Sequence, residues 1–468
     1  MPSSFDVIVI GSGSAGFSAA EAARAVGASV CMVEKEKLGG ECPNWACVPS
    51  KALLHAARAY RESREASSIG ISAGVVFDWG KVMAYRRKVV DSITGGGEVG
   101  ERYVKIAKRL DVEVAFGTAV FGDAETIDVG GKRLRGKTFV IATGSSEFIP
   151  PIIGLERVPF LTSRGALTID RQPKAVAIIG GGPVGCELAT FFASFGSRVV
   201  LLQGGPVILN REDAEISAIA MQSMSDLGVE IVTDATVVEV INASGGVYGL
   251  KVRSAEGMTT HAVEAVIVAA GKRSNTQGLN LAAVGVQSDE RGNVITTADQ
   301  RTTAKRVYAA GDVDGGLLFT HTAHHEGAVA GHNAAFAALG KRGTSVKSDE
   351  RVVPRVTFVD PEVASVGMTA EEAKRRFKTV LVGRAFVASL GRAVTENVER
   401  GLVKIVVHPK SRKVLGCHVA APRAGEMIHE AALAMHVGAT VDEVASMIHA
   451  YPTYSEAVLS AAASVKPE

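Results

Sequence analysis

Two stretches of the chain repeat one pattern of apolar and polar positions. The first opens on the β-branched run FDVIVI (5–10), which reads as a buried strand. GSGSAG follows, and then the Ala-rich SAAEAARAVG, where the apolar period changes to that of a helix. A second apolar run, SVCMVE, ends at Glu34 and completes a strand–helix–strand unit. The same order returns with AVAIIG, GGPVG, CELATFFASFG and SRVVLLQ, which ends at Gln203. Each unit is followed by a strand closing in a Gly turn, FVIATGSS (139–146) and AVIVAAGKRSNT (265–276), and VYAAGDVDGG (307–316) is a third such segment.

From about Val353 the pattern changes. Strands (RVTFV, LVKIVVH, KVLGCHVA) come first, then helices (AGEMIHEAALAMHVG, VDEVASMIHA), the order of an α+β domain. The predicted organisation is α/β. A first nucleotide domain covers 1–148 and resumes at 277–347, a second at 149–276 is inserted into it, and the tail domain is 348–468. At about 150 residues per domain, 468 residues suit roughly three domains.

Composition narrows the class. Lys and Arg number 51 against 49 Asp and Glu, so there is no electrostatic footprint for nucleic acid. No apolar run approaches the roughly 18 residues that span a bilayer. The start MPSSFDVIVIG lacks a basic leader and a cleavage site, so no membrane insertion and a cytoplasmic location are expected. The 51 glycines imply tight turns and close backbone approaches to ligands.

Gly11, Gly13 and Gly16 have the spacing of a dinucleotide loop, in which the first Gly turns, the second admits a pyrophosphate and the third packs helix on strand. Ser14 and Ala15 start the helix whose free N–H groups would meet the phosphates. Glu34, 18 residues after Gly16, suits a ribose diol. Gly180, Gly182 and Gly185, with Val184 at the helix start, repeat the loop, but the ribose position is now Gln203. Losing the carboxylate removes repulsion against a 2′-phosphate and leans toward NADPH. No basic residue follows until Arg211, so NADH stays open.

Two dinucleotides in one chain suggest a flavin and a nicotinamide, and the electrons then need an acceptor. The candidate is GGECPNWACVPSK, where Cys42 and Cys47 are separated by four residues and can meet as a disulfide. Pro43 is tolerated near a helix start, Pro49 is expected to distort the segment, and a thiolate near Lys51 is expected to have a lowered pKa. The residues alone also allow two small buried side chains or half a metal site, although no second Cys/His pair has suitable spacing, and we assign no metal site.

GGECPNWACVPSK resembles the redox-active motif of the class I pyridine nucleotide-disulfide oxidoreductases, which include dihydrolipoamide dehydrogenase, glutathione reductase and mercuric reductase. The resemblance spans the chain through both Gly loops, the ATG-type turns, Ala310-Gly311-Asp312 and PEVASVGMT. It implies two Rossmann-like domains, the NAD(P) domain inserted in the FAD domain, plus an α+β dimerisation domain, with FAD and NAD(P)H as cofactors and a homodimer. It further implies that Cys47 faces the flavin and forms the charge-transfer thiolate, that Cys42 faces the substrate, and that Lys51 beside the ring pairs with Glu187. Around the cofactors it draws in Gly40, Glu41, Gly117, Thr143, Gly144, Ser145, Gly271, Arg273, Gly311, Asp312, Phe319, Thr320 and His321.

One departure bears on the substrate. The family's tail reads His-Pro-Thr-x-x-Glu, with the His as acid–base group. Here Tyr451 precedes Pro452-Thr453 and Glu456 closes the pattern, with His449 two residues earlier as a possible substitute. A phenol with a pKa of about 10 is a poor base at neutral pH. A Tyr here resembles mercuric reductases, but no Cys follows Cys417 to form their C-terminal pair. The acceptors held open are a small disulfide, a lipoyl group or a soft metal ion. The alternative is a flavin-bearing redox sensor or low-turnover assembly subunit. Cys31, Cys186 and Cys417 read as small buried residues. His321, His324 and His325 match the family's flavin-lining helix start, and His429 and His436 suit an interface or solvent.

Overall fold

A computed structural model describes residues 3–468 apart from 73, 244 and 344. Its chain forms two compact units. One comprises 1–52, 80–148 and 271–350, the other 53–79, 149–270 and 351–468.

In the first unit, strand Ser3–Ile10 ends in four buried residues, Val7 to Ile10, and lies between parallel strands Val30–Glu34 and Lys132–Ile141. The register places Val7 opposite Val30 and Ile8 opposite Phe139. Burial on both faces explains why these strands are continuous apolar runs rather than alternating ones. Val112–Phe116 and Val307–Ala309 extend the parallel part, and Ala119–Asp123 with Thr126–Val129 adds an antiparallel hairpin, making seven strands. Helix Ser14–Val26 packs on helix Thr320–Ala338 at backbone contact. A Cβ on Gly327 would lie 2.2 Å from the Ala15 oxygen, and one on Gly331 2.0 Å from the Ala19 oxygen. These two glycines bring the start of the later helix beside the first Gly loop, where Ser14 Oγ donates to the Thr320 carbonyl (2.8 Å).

The second unit holds a four-stranded parallel sheet in the order Val229–Val232, Arg198–Leu202, Ala175–Ile179, Ala265–Val268. Helices Pro183–Ser194 and Ala214–Asp226 accompany it, as does an antiparallel meander over 236–263. Its C-terminal part is a six-stranded antiparallel sheet, from Arg355–Thr357 at one edge to Lys466–Pro467 at the other, with helices Ala424–Val437, Val441–Ser446 and Glu456–Ala463. Among the described residues no helix is long and apolar enough to cross a membrane.

Candidate functional site

The first Gly loop is built by close approaches. Gly11 has φ 106°, and a Cβ there would stand 2.2 Å from the Ala142 oxygen. A Cβ on Gly16 would stand 2.0 Å from the Gly11 oxygen. Gly13 differs, since a Cβ there would meet only the Gly40 Cα, at 4.0 Å. Space therefore remains above Gly13, and no side chain caps the helix start at Ser14, so its N–H groups stay available. Glu34 is buried. It accepts from the Ser12 N–H (3.1 Å) and hydroxyl (2.6 Å) and from the N–H groups of Lys35 and Glu36 (2.8 Å each).

The redox segment starts at Gly40, whose own Cβ would lie 2.5 Å from the Gly13 Cα, so the two backbones form one wall. Helix Glu41–Trp45 breaks at Ala46 (φ −128°, ψ −89°) and restarts as Cys47–Glu65. Pro49 does not distort the second helix. It falls in the first turn, where its missing N–H would have no partner within the helix. Buried Asn44 donates to the Leu38 and Gly40 carbonyls (3.1 and 2.8 Å) and pins the turn. Glu41 does not stand alone: its carboxylate takes a 2.5 Å bond from Lys272 Nζ.

The break at Ala46 sets Cys42 and Cys47 against each other as half-buried thiols. The Thr320 hydroxyl lies 3.7 Å from Cys47 Sγ and also bonds Cys42. The Cys42 thiol is pushed up from its ordinary value, first by its hydrogen bond with Cys47 and then by burial, while Thr320 and the Lys51 charge pull it down. The lowered thiol expected beside Lys51 is thus overridden at Cys42, because the hydrogen bond with Cys47 and burial outweigh the Lys51 charge.

Around this pair, Asp312 Oδ2 accepts from Ser145 Oγ (2.6 Å), and Thr143 Oγ1 donates to the Asn275 carbonyl (2.8 Å). Gly144 O takes the Asn275 N–H (2.9 Å), Gly117 donates to the Glu34 carbonyl (2.8 Å), and Gly271 O takes the Phe148 N–H (2.9 Å). Arg273 lies over the Phe148 ring at 5.7 Å, and the Phe319 and His321 rings stack at 5.3 Å. Sequence reasoning missed Glu326. Its buried carboxyl accepts the Gly311 N–H (2.6 Å) and is pushed up to about 8 by burial, with Asp314 and Glu350 adding to the effect. The Glu-Gly pair in FTHTAHHEG was the only available signal.

The second loop repeats the first. Gly180 has φ 116° and a Cβ there would stand 2.3 Å from the Ala269 oxygen, while one on Gly185 would stand 1.9 Å from the Gly180 oxygen. Among the described residues nothing lies within 4 Å of a Cβ on Gly182, and Val184 is exposed at the uncapped helix start. Gln203 Oε1 accepts the Gly181 N–H (2.9 Å). On the same helix, buried Glu187 accepts the Phe358 N–H (3.0 Å).

In the tail, Tyr451 is 78% exposed, precedes a cis bond to Pro452 and packs over Gly391. Glu456 accepts the Thr453 N–H (2.9 Å). The His449 ring is held between Glu430 Oε1 (2.8 Å) and the Met447 carbonyl (3.0 Å). Cys42, Cys47, Lys51 and Thr320 share the first unit, whereas Glu187, His449, Tyr451 and Glu456 belong to the second.

Comparison with known families agrees with this geometry. Residues 5–327 match the model of the pyridine nucleotide-disulphide oxidoreductases, and residues 353–462 match the dimerisation domain of the same family. The chain belongs to the pyridine nucleotide-disulphide oxidoreductases.

Mercuric reductase of Lysinibacillus sphaericus is 34% identical over 98% of this chain and 82% of its own length. Dihydrolipoyl dehydrogenase of Thermus scotoductus is 37% identical over 98% of this chain and 96% of its own. Among solved structures, the HOCl-induced flavoprotein disulfide reductase RclA from Escherichia coli superposes with a TM-score of 0.85 at 28% identity, covering 98% of this chain and 99% of that one. Its Cu(II) complex superposes with 0.86 at 27% identity, covering 99% of each chain.

As a member of this family the protein is an FAD-dependent, NAD(P)H-linked disulfide oxidoreductase of mixed α/β fold. Its residues fit that chemistry. The open spaces above Gly13 and Gly182, each facing an uncapped helix start, are where a pyrophosphate would sit. Cys31 and Cys417 are buried thiols pushed up to about 12 by burial, and Cys186 is raised for the same reason. Thiols of this kind are inert, whereas Cys42 and Cys47 are half-buried and in contact with each other.

Proposed function

We propose that this chain reduces a soft metal ion held by thiolates, with NAD(P)H as electron source and Cys42 and Cys47 as the sulfur pair that delivers the electrons. The observation that carries this reading is the state of the pair. The Cys42 thiol is pushed up from its ordinary value by its hydrogen bond with Cys47 and by burial, which favours its protonated form. A protonated thiol is a poor nucleophile toward a disulfide unless a base takes its proton. In the register of the family motif that base position is Tyr451, a poor base at neutral pH. We read His449 as structural, since both its ring nitrogens are engaged. A soft cation needs no such base, because forming the metal–sulfur bond itself displaces the thiol proton.

We assign FAD to the loop Gly11–Gly16 with Glu34 and Asp312, and NAD(P)H to the loop Gly180–Gly185 with Gln203. The flavin, when bound, relays two electrons from NAD(P)H to the sulfur pair. With two electrons and two protons the Cys42–Cys47 bond opens to two thiols. A metal ion such as Hg(II) then displaces both protons, takes two electrons to become Hg(0), and the sulfur–sulfur bond re-forms. Lys51 supplies positive charge to the pair. By the family resemblance we assign Lys51 and Glu187 to the flavin side and, as residues contributed by the partner subunit, Tyr451 and Glu456 to the substrate side. The mercuric reductase relative and the Cu(II) complex of RclA support a metal acceptor.

A homodimer is the form we infer. Leu433 and Val437 on helix Ala424–Val437 are more than half exposed, and Ile448 is 96% exposed, all within the dimerisation domain. Apolar side chains clustered at the surface mark an interface. We place this dimer in the cytoplasm. A second reading, reduction of a small disulfide or lipoyl group, is favoured by the 37% identity to dihydrolipoyl dehydrogenase.

The test is oxidation of NADH and of NADPH with Hg(II), Cu(II), lipoamide and glutathione disulfide as acceptors. The proposal expects turnover with a metal ion, little with lipoamide, and loss of metal turnover in Cys42→Ser. Faster lipoamide turnover would favour the second reading. Bound FAD with no turnover on any acceptor would mean a redox sensor or assembly subunit.

A further inference from the structure

The second dinucleotide loop is held by more than its own module. Strand Arg198–Leu202 and helix Ala214–Asp226 are joined by the stretch 203–213, longer than the about 4–6 residues that commonly connect such elements. It begins Gln203-Gly204-Gly205-Pro206, with little side chain to pack. Its first half is pinned locally, since Gly205 O takes the Asp234 N–H (2.9 Å) and Gln203 O takes the Ala235 N–H (2.9 Å).

The second half is pinned from the C-terminal sheet. Arg355 Nε donates to Glu212 Oε1 (2.7 Å), and its Nη2 donates to the Arg211 carbonyl (2.8 Å). The Ser365 hydroxyl donates to Glu212 as well. Lys404 Nζ lies 3.0 and 2.9 Å from the two oxygens of Asp213 and 2.6 Å from Glu215 Oε1. Arg384 pairs with Glu215 (2.8 Å) and with Glu468 (2.8 Å), and it holds the Glu215 carboxyl down at about 2. The Lys404, Asp213 and Glu212 side chains are all more than nine-tenths buried. His418, fully buried, closes the cluster between Ser365 Oγ (3.1 Å) and the Met368 carbonyl (2.9 Å).

Buried ion pairs contribute little net stability compared with apolar packing, so a concentration of them on one loop calls for another explanation. Glu212 is tied back toward the Gly loop by its own N–H, which donates to the Leu209 carbonyl (2.8 Å). The Leu209 N–H donates to the Gly181 carbonyl (2.8 Å), and Leu209 sits at φ 48°, a conformation that an unheld loop would leave. Ile208 lies against Gly181, where a Cβ would come within 2.9 Å of its side chain. The Ser217 hydroxyl donates to the Ile208 carbonyl (2.6 Å). Arg355 and Lys404 are therefore connected to the second Gly motif through consecutive residues of one loop.

We propose that Arg355, Lys404 and Arg384 are positioning residues for the pyridine nucleotide. They fix residues 208–213 against Gly181, and the fixed loop sets how tightly that site holds NAD(P)H. The C-terminal sheet thus acts on coenzyme affinity without touching the coenzyme. This rests on the reading that Gly180–Gly185 receives NAD(P)H.

The experiment is direct titration of the FAD-loaded protein with NADP+ and with NAD+, followed by isothermal calorimetry, for wild type, Lys404→Met, Arg355→Gln and Gly182→Val. Steady-state rates and FAD content are measured alongside. The inference expects Kd and KM for the nucleotide to rise about tenfold or more in Lys404→Met and Arg355→Gln, with FAD content and kcat at saturation within about twofold of wild type. Unchanged Kd in both variants would overturn it. A fall in kcat with no rise in KM would also overturn it. Failure of both variants to fold or to hold FAD would do so too, since the charges would then be holding the fold rather than the loop. Gly182→Val separates the two levels. If it binds nucleotide normally, the site assignment itself fails. If it loses binding while the charge variants do not, only the positioning role fails.

Discussion

The two Gly loops share a backbone and differ in what surrounds it. In both, the first and third glycines admit no side chain, because a Cβ would stand 1.9–2.3 Å from a backbone oxygen. The loop at Gly11 is walled by the redox segment, where Gly40 approaches Gly13, and it is backed by a buried carboxylate, Glu34, with four donors. The loop at Gly180 has no described residue within 4 Å of a Cβ on Gly182, a neutral Gln203 on the Gly181 N–H, and a long following segment held by buried charges. On the assignment proposed above, the loop with a second backbone beside it suits a cofactor that stays, and the loop without one suits a coenzyme that comes and goes. On that assignment, surroundings rather than the motif separate the two roles.

The largest effect expected is from Gly16→Val. The side chain would collide with the Gly11 carbonyl, and the loss should exceed about 4 kcal/mol, in the range of severe core disruption. The flavin-to-protein absorbance ratio should fall to near zero. A variant that purifies yellow and melts like wild type would show that the first loop is not the cofactor site.

Glu34→Gln sharpens the contrast more gently. Gln still accepts on one oxygen but leaves donors unsatisfied, at a cost of about 1–3 kcal/mol. Flavin release, followed by its recovered fluorescence, should accelerate while the Kd for NAD(P)H holds steady. Equal weakening of both ligands would mean that Glu34 serves the fold and not the first site alone.

Gln203→Glu probes the second loop. A carboxylate there should repel a 2′-phosphate and lower kcat/KM for NADPH relative to NADH by about tenfold, or ~1.4 kcal/mol. An unchanged coenzyme ratio would place the ribose away from position 203.

The smallest effect expected is a pH dependence at Glu326, which holds the Gly311 N–H in the first unit. Its folded-state pKa is raised to about 8 from an ordinary 4.5, so the folded protein binds this proton more tightly than the unfolded chain does. Its contribution to stability is complete below about pH 4.5 and is lost as pH rises through about 8. Glu326→Gln, neutral at every pH, should flatten that decline and melt higher than wild type at pH 8–9, with little difference at pH 5. Parallel melting curves for the two proteins across this range would contradict the assignment.

Much of this was legible in the sequence because it is written in local order. Each strand–Gly loop–helix unit occupies consecutive residues, and Cys42 and Cys47 lie within one short segment. Pairings across long separations were not legible. The Gly327 and Gly331 contacts with Ala15 and Ala19, the Lys272–Glu41 pair and the Arg355–Glu212 pair each join distant segments. No periodicity announces them, because each depends on how two helices or two modules meet. The thiol environment was misjudged for a related reason. Lys51 was visible beside the motif, but the break at Ala46, which turns Cys42 onto Cys47, depends on backbone angles that the residue types did not specify.

Electron transfer in this protein turns on the sulfur pair, and counting thiols tests that role most directly. Anaerobic FAD-loaded protein, alkylated before and after one equivalent of NADPH, should gain two labelled cysteines per chain, mapping by mass spectrometry to Cys42 and Cys47. No gain, or labels mapping to Cys31, Cys186 or Cys417, would contradict it.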